Sequence, residues 1–125
     1  MIRKAHSDYQ DFQLRIAEAL IGRRITRTVQ WDEQSGTLYL DNDTTLEVRG
    51  NEGCGGCGNG WYYLKKLEEC NNVITNVKCQ NIDDEIYSIF VFTEDERIEV
   101  VQYEGYDNGY YGTGFWVFIV NDLHE

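Results

Sequence analysis

A chain of 125 residues, 42% hydrophobic and 14% aromatic, is long enough for one domain with its own core and too rich in core formers to stay disordered. Its formal charge of −11 disfavours binding along a phosphate backbone, which depends on Lys and Arg displacing counterions. No apolar run is long enough to span a bilayer, and residues 1–7 (MIRKAHS) lack the apolar stretch of a signal peptide, so a single cytoplasmic domain covering residues 1–125 is expected.

The charge is unevenly placed. Residues 1–27 carry six basic and three acidic side chains, a net of +3, and the remainder carries five basic against nineteen acidic, a net of −14. Such a surface favours a basic partner protein, although acidity that merely keeps a small protein soluble has the same signature.

In chain order, Phe12, Ile16 and Leu20 recur four apart, which predicts an amphipathic helix over residues 7–21, capped by Ser7 with Gln10 reaching back and ended by Gly22. The period then changes to two. Ile25, Val29 and Trp31 alternate with polar residues, Arg27 being an exception in the inward phase, and residues 32–36 read as a turn. Leu38 and Leu40, then Leu46 and Val48, complete a three-stranded meander across a polar turn at Asp41, Asn42 and Asp43. Residues 51–60 (NEGCGGCGNG) are half glycine and read as a loop. Residues 61–67 fit a strand or a short helix, and the β-branched residues 72–78 read as a strand. Residues 86–93, 97–103 and 115–120 are further strands. They are joined by a turn at Thr93, Glu94, Asp95 and Glu96 and by a longer connection, residues 104–114 (EGYDNGYYGTG).

The expected fold is α+β: one N-terminal helix packed on a curved, mainly antiparallel sheet of about seven strands. Its core would contain Phe12, Ile16, Leu20, Val29, Leu38, Leu40, Leu46, Val77, Phe90, Ile98, Val100, Trp116 and Phe118. Truncating Phe90 or Trp116 would then cost about 3–5 kcal/mol.

Three features could carry chemistry. Cys54 and Cys57 have the C-x2-C spacing of a zinc knuckle, and Cys70 with Cys79 could complete a tetrahedron, although C-x8-C is a loose second pair. Ordinary reduced thiols are the competing reading, and dithiol redox chemistry is disfavoured because Gly58, Asn59 and Gly60 replace the helix start that would activate a thiolate. The second feature is the Gly/Tyr connection. Tyr106, Tyr110 and Tyr111, beside Asp107, offer large contact area at low entropic cost, as in a paratope, or else they cover a sheet edge. The third is the acidic turn Glu94, Asp95 and Glu96, with Asp83, Asp84 and Glu85, which reads as solvated loops or as a mimic of nucleic-acid charge.

Catalytic equipment is sparse. His6 and His124 lie near the two ends of the chain, no phosphate-binding loop, nucleophile elbow or H-E-x-x-H occurs, and Asp41, Asp43, Thr44 and Thr45 do not match a calcium loop. Facing carboxylates assembled by the fold would still permit an enzyme.

Four strings, LIGRRI (20–25), NVITNV (72–77), SIFVFTEDERIEVV (88–101) and EGYDNGYYGTGFWVF (104–118), resemble an uncharacterised family of small proteins from tailed phages of actinobacteria. The resemblance covers most of the chain after the first helix and implies a phage origin; it assigns no site residue. The expected function is that of an acidic interaction protein. It would bind a host or phage protein and inhibit a nucleic-acid-handling or defence factor through its acidic surface and Tyr/Gly loop. The alternatives are a binder or sponge for a small, nucleotide-like ligand and a zinc-stabilised module.

Overall fold

The structure, a computed structural model, describes residues 9–50, 62–83, 85–105 and 114–121. The helix α1 (Tyr9–Leu20) places Phe12, Ile16 and Leu20 on one face, and all three are buried. Gly22, at φ +87°, ends it in the left-handed conformation and donates its N–H to the Ile74 carbonyl at 2.8 Å.

Eight strands follow: β1 (Ile25–Gln30), β2 (Ser35–Leu40), β3 (Thr44–Gly50), β4 (Tyr62–Leu67), β5 (Asn76–Ile82), β6 (Ile86–Phe92), β7 (Arg97–Gly105) and β8 (Phe115–Asn121). The meander β1-β2-β3 forms as expected, and β8 returns to pair antiparallel with β3. A second antiparallel sheet has the order β4-β7-β6-β5. The fold is therefore mostly β, with one short helix and two four-stranded sheets, and the single seven-stranded curved sheet does not form. Residues 61–67, ambiguous in sequence, supply β4 at the edge of the second sheet. The strand expected over residues 72–78 starts later, at Asn76, because the Ile74 N–H donates to the Arg23 carbonyl and its carbonyl accepts from Gly22 N–H, past the helix end rather than along β6.

Cross-links tie the two sheets together. Ile25 and Cys70 exchange N–H···O bonds of 2.9 and 3.0 Å, and Leu64 N–H donates to the Glu33 carbonyl at 2.8 Å. Helix α1 packs on β5: Gln13 Oε1 accepts the Cys79 backbone N–H at 2.7 Å, answering an edge donor, while Phe12 meets Phe115 of β8 edge to face at 5.5 Å.

Three register shifts interrupt the described ladders, one of them in β4 between Leu64 and Lys66, and the other two decide which side chains of β1 and β7 point inward. The β1–β2 register shifts between Ile25 and Arg27, so Ile25 is buried while Arg27 and Val29 fall on the outer face. Arg27 is thus no inward exception. A second shift, opposite Ile89 and Phe90, lets both Val100 and Val101 of β7 be buried. Of the expected core, Phe12, Ile16, Leu20, Leu38, Leu40, Leu46, Val77 and Val100 are buried, and Ile98 packs against the core while partly exposed. Val29, Phe90, Trp116 and Phe118 are only half-buried. The inward phases of β6 and β8 are Tyr87, Ile89 and Val91, and Phe115, Val117 and Ile119, the last partly exposed, so the strand parity was inverted in both. Phe90 instead lies outside under the Arg97 guanidinium, 4.1 Å from its ring centroid.

Candidate functional site

One end of the sandwich gathers the roots of both glycine-rich segments. Gly50, which ends β3, is the register partner of Phe115, which begins β8. Tyr62, which begins β4, is the partner of Gly105, which ends β7. The last described residues before 51–61 and 106–113, and the first ones after them, therefore come from paired strands. The acidic turn at Asp83 and Glu85 joins the same end, since Gly105 N–H donates to the Glu85 carbonyl at 2.8 Å.

The base of this end is the most densely aromatic part of the core. Tyr103 stacks on Phe115 at 4.7 Å, Tyr87 approaches Phe115 at 6.2 Å and Tyr62 at 5.6 Å, and all four rings are buried. Such pairs add about 0.5–1.5 kcal/mol each beyond area burial. The Tyr103 hydroxyl donates to the Gln34 carbonyl at 2.6 Å, and the same oxygen accepts Gly50 N–H at 2.8 Å. Gln34 Nε2 donates to the Tyr62 carbonyl at 3.3 Å. Burial, with Asp32 adding its charge, pushes the Tyr103 phenol far above its ordinary value. Gly50 is obligatory here, because a Cβ would collide with the Tyr62 carbonyl and crowd the Tyr103 ring.

The β1–β2 turn that supplies Gln34 is itself fixed. Asp32 Oδ1 accepts from Gln34 N–H at 2.8 Å and from Ser35 N–H and Oγ at 2.9 Å, and these bonds hold its carboxyl below the usual range.

Tyr106, Asp107, Tyr110 and Tyr111 lie outside the described residues, as do Cys54, Cys57 and Asp84. The described residues that flank 106–113 in sequence are Gly105 of β7 and Gly114, just before β8. Glu94, Asp95 and Glu96 are exposed in the β6–β7 turn, held by Thr93 Oγ1, which accepts from the Asp95 and Glu96 N–H groups at 3.3 and 3.1 Å. This turn precedes Arg97 and the Tyr/Gly segment follows Gly105, so the nine residues of β7, about 30 Å of extended chain, separate them. Nor does the turn stand among acids alone: Glu94 and Asp95 share a cleft of about 430 Å³ with Arg24, Asn72 and Val73.

Cys70 and Cys79 are buried free thiols. Cys70 Sγ donates to the Asn72 carbonyl at 3.3 Å, and burial raises its pKa. Burial alone pushes Cys79 to about 12. Neither is placed as a thiolate, and among the described residues no group of three His, Cys, Asp or Glu side chains could hold a metal ion. Among the described residues no helix is long and apolar enough to cross a membrane.

A family model matches residues 18–117, from the last three residues of α1 to the first three of β8, taking in strands of both sheets and both glycine-rich segments. The chain belongs to this family. It is a domain of unknown function, DUF7448. No curated protein and no solved structure matches the chain. The DUF7448 match thus spans β1 to β7 and the start of β8, and leaves out most of the helix and the rest of β8.

A surface that sequence reading missed is the outer face of the sheet β1-β2-β3-β8. Register lines up Arg27, Tyr39, Thr45 and Val120 in one row, Val29, Thr37, Glu47 and Phe118 in the next, and Ser35, Arg49 and Trp116 in a third. Trp31, which follows β1, is 61% exposed. The signal was present in the alternation of β3, whose outward residues are Thr45, Glu47 and Arg49, but the bulge in β1 and the unbroken apolar run of β8 concealed the rest.

Proposed function

We propose that this DUF7448 protein is a binding module that recognises a partner protein with the loop end of its sandwich. The observation that carries this reading is the pairing of Gly50 with Phe115 and of Tyr62 with Gly105, which roots both glycine-rich segments on one rigid aromatic base. Rigid strands that present variable, Tyr- and Gly-rich segments at one end are a recurrent arrangement for recognition. The surrounding charge, from Asp83, Glu85 and Glu104, favours a basic partner surface and disfavours direct nucleic-acid binding. The likeness to small proteins of tailed actinobacterial phages supports a host cytoplasmic setting and a host or phage protein as the target, including an inhibited nucleic-acid-handling or defence factor.

The experiment is affinity capture from infected-cell lysate with the wild type, with Tyr110→Ala combined with Tyr111→Ala, and with Glu94→Lys combined with Glu96→Lys. Capture of one partner that is lost with the tyrosines, kept with the distant Glu94 and Glu96 reversal, and weakened by salt fits the proposal. A partner that ignores the tyrosine substitutions would sink it.

A further inference from the structure

We infer that the outer face of the sheet β1-β2-β3-β8 is a second binding site, for a neutral oligosaccharide. The face is concave where small hydroxyl residues lie between large ones. A groove of about 350 Å³ is lined by Ser35, Thr37, Thr45 and Glu47 together with Trp31, Tyr39 and Arg49.

Its aromatic groups are held in place without being buried. The Trp31 indole N–H donates to Thr37 Oγ1 at 2.8 Å, which orients a ring that is otherwise 61% exposed. Arg27 sits 4.3 Å above the Tyr39 ring centroid, and Arg49 lies 5.3 Å from that of Phe118. An exposed, oriented ring offers the negative π face that the C–H groups of a pyranose stack on. The Glu47 carboxylate can accept and the Arg49 guanidinium can donate hydrogen bonds to sugar hydroxyls, and the Ser and Thr hydroxyls can do either.

Charge decides between a sugar and a nucleic acid. In a chain with 22 acidic residues the outward positions of this sheet carry one acid, Glu47, and two bases, Arg27 and Arg49. Both guanidiniums already lie over rings, and the carboxylate of Glu47 stands mid-sheet between Thr37 and Phe118. A single-stranded nucleic acid would stack on the same rings but needs a cationic track for its phosphates, and here it meets a carboxylate instead. A neutral polyhydroxylated chain meets no such opposition.

Saturation-transfer NMR and calorimetry with maltohexaose, cellohexaose and N-acetylchitohexaose, alongside oligothymidylate, test the site. At least one hexaose should bind with an affinity insensitive to salt, and Trp31→Ala or Glu47→Gln should each weaken it by about tenfold, equivalent to about 1.4 kcal/mol. Thermal midpoints report whether either variant still folds, and Glu47→Gln preserves the shape of the groove. Absence of binding by all three hexaoses overturns the inference. So does stronger binding of oligothymidylate, or sugar binding that survives both substitutions. Partner capture tested with Tyr110→Ala and Tyr111→Ala is a separate measurement, and its failure leaves the sugar-binding result standing.

Discussion

Replacing Tyr103 by Phe removes one hydroxyl from the bond that ties β7 to the β1–β2 turn. The Gln34 carbonyl keeps its second partner, Gly50 N–H at 2.8 Å, so no buried acceptor is orphaned. The loss at neutral pH is then that of one net hydrogen bond, about 1–1.5 kcal/mol, and not the larger cost of an unsatisfied group. Alkaline pH reverses the comparison. The unfolded phenol ionises near its ordinary value of 10, whereas the buried phenol stays protonated well above it. Between those values the unfolded state has shed a proton that the folded state retains, so stability falls as pH rises, by about 1.4 kcal/mol per pH unit. Tyr103→Phe lacks this term. The wild-type advantage should be constant to about pH 9.5, vanish near pH 11 and change sign above it. Urea midpoints of both proteins, measured at matched pH by tryptophan fluorescence, give the difference directly, because the other titrating groups cancel. An advantage as large at about pH 11 as at pH 7 would refute the buried, neutral phenol, and none at neutral pH would refute the bond to Gln34.

Gly50→Ala should destabilise by about 1–3 kcal/mol or prevent folding, since its methyl group meets a carbonyl that cannot move without shifting β4; a variant with an unchanged thermal midpoint would contradict the close approach. Phe115→Ala and Tyr87→Ala should each cost about 3–5 kcal/mol, while Phe90→Ala and Trp116→Ala, half-buried on outer faces, should cost about 2 kcal/mol or less, as denaturant unfolding will show. Cys79 should resist thiol reagents in the native protein. Its contribution to stability, complete below its unfolded pKa of 9.0, should decline as pH rises toward about 12, a slope that the difference from Cys79→Ala isolates. Gln13→Ala leaves the Cys79 N–H at the β5 edge without its acceptor, and hydrogen exchange at that amide should quicken with a loss of about 1–2 kcal/mol.

The helix and the first meander could be read from sequence because each is fixed locally: a 3.6-residue period with Gly22 at its end, then polar–apolar alternation across short turns. The division into two sheets could not. It depends on β8 pairing with β3 from some 70 residues away in the chain, and nothing local to FWVFIV names its neighbour. That run is apolar at every position, so it also conceals its parity. Trp116 and Phe118 are among the expected core residues, yet the register opposite Leu46 and Val48 turns Phe115, Val117 and Ile119 inward. The bulges at Thr26 and Val100 had the same effect in β1 and β7, since one extra residue exchanges the two faces of everything beyond it.

The same geometry divides what composition had joined. An acidic patch and a tyrosine-rich segment in one small chain read as a single interaction surface, but β7 runs from the Glu94–Glu96 turn to Gly105 before that segment begins, and the turn shares its cleft with Arg24 from the basic entry of the chain. The basic first segment, with a net charge of +3, thus does not lie apart from the acidic remainder: Arg23 and Arg24 each approach Asp41 to within 3.7 Å, and Arg24 faces Glu94 and Asp95. These pairs are exposed and contribute little to stability. Their effect is on potential, because they lower the negative field at the turn end and leave Asp83, Glu85 and Glu104 near the loop roots without a described basic partner. A basic protein steered by this field would arrive at the Gly105 end first, which is why charge reversal at Asp83 and Glu85 should slow partner association more than reversal at Glu94 and Glu96, a difference that stopped-flow rates at low salt can measure.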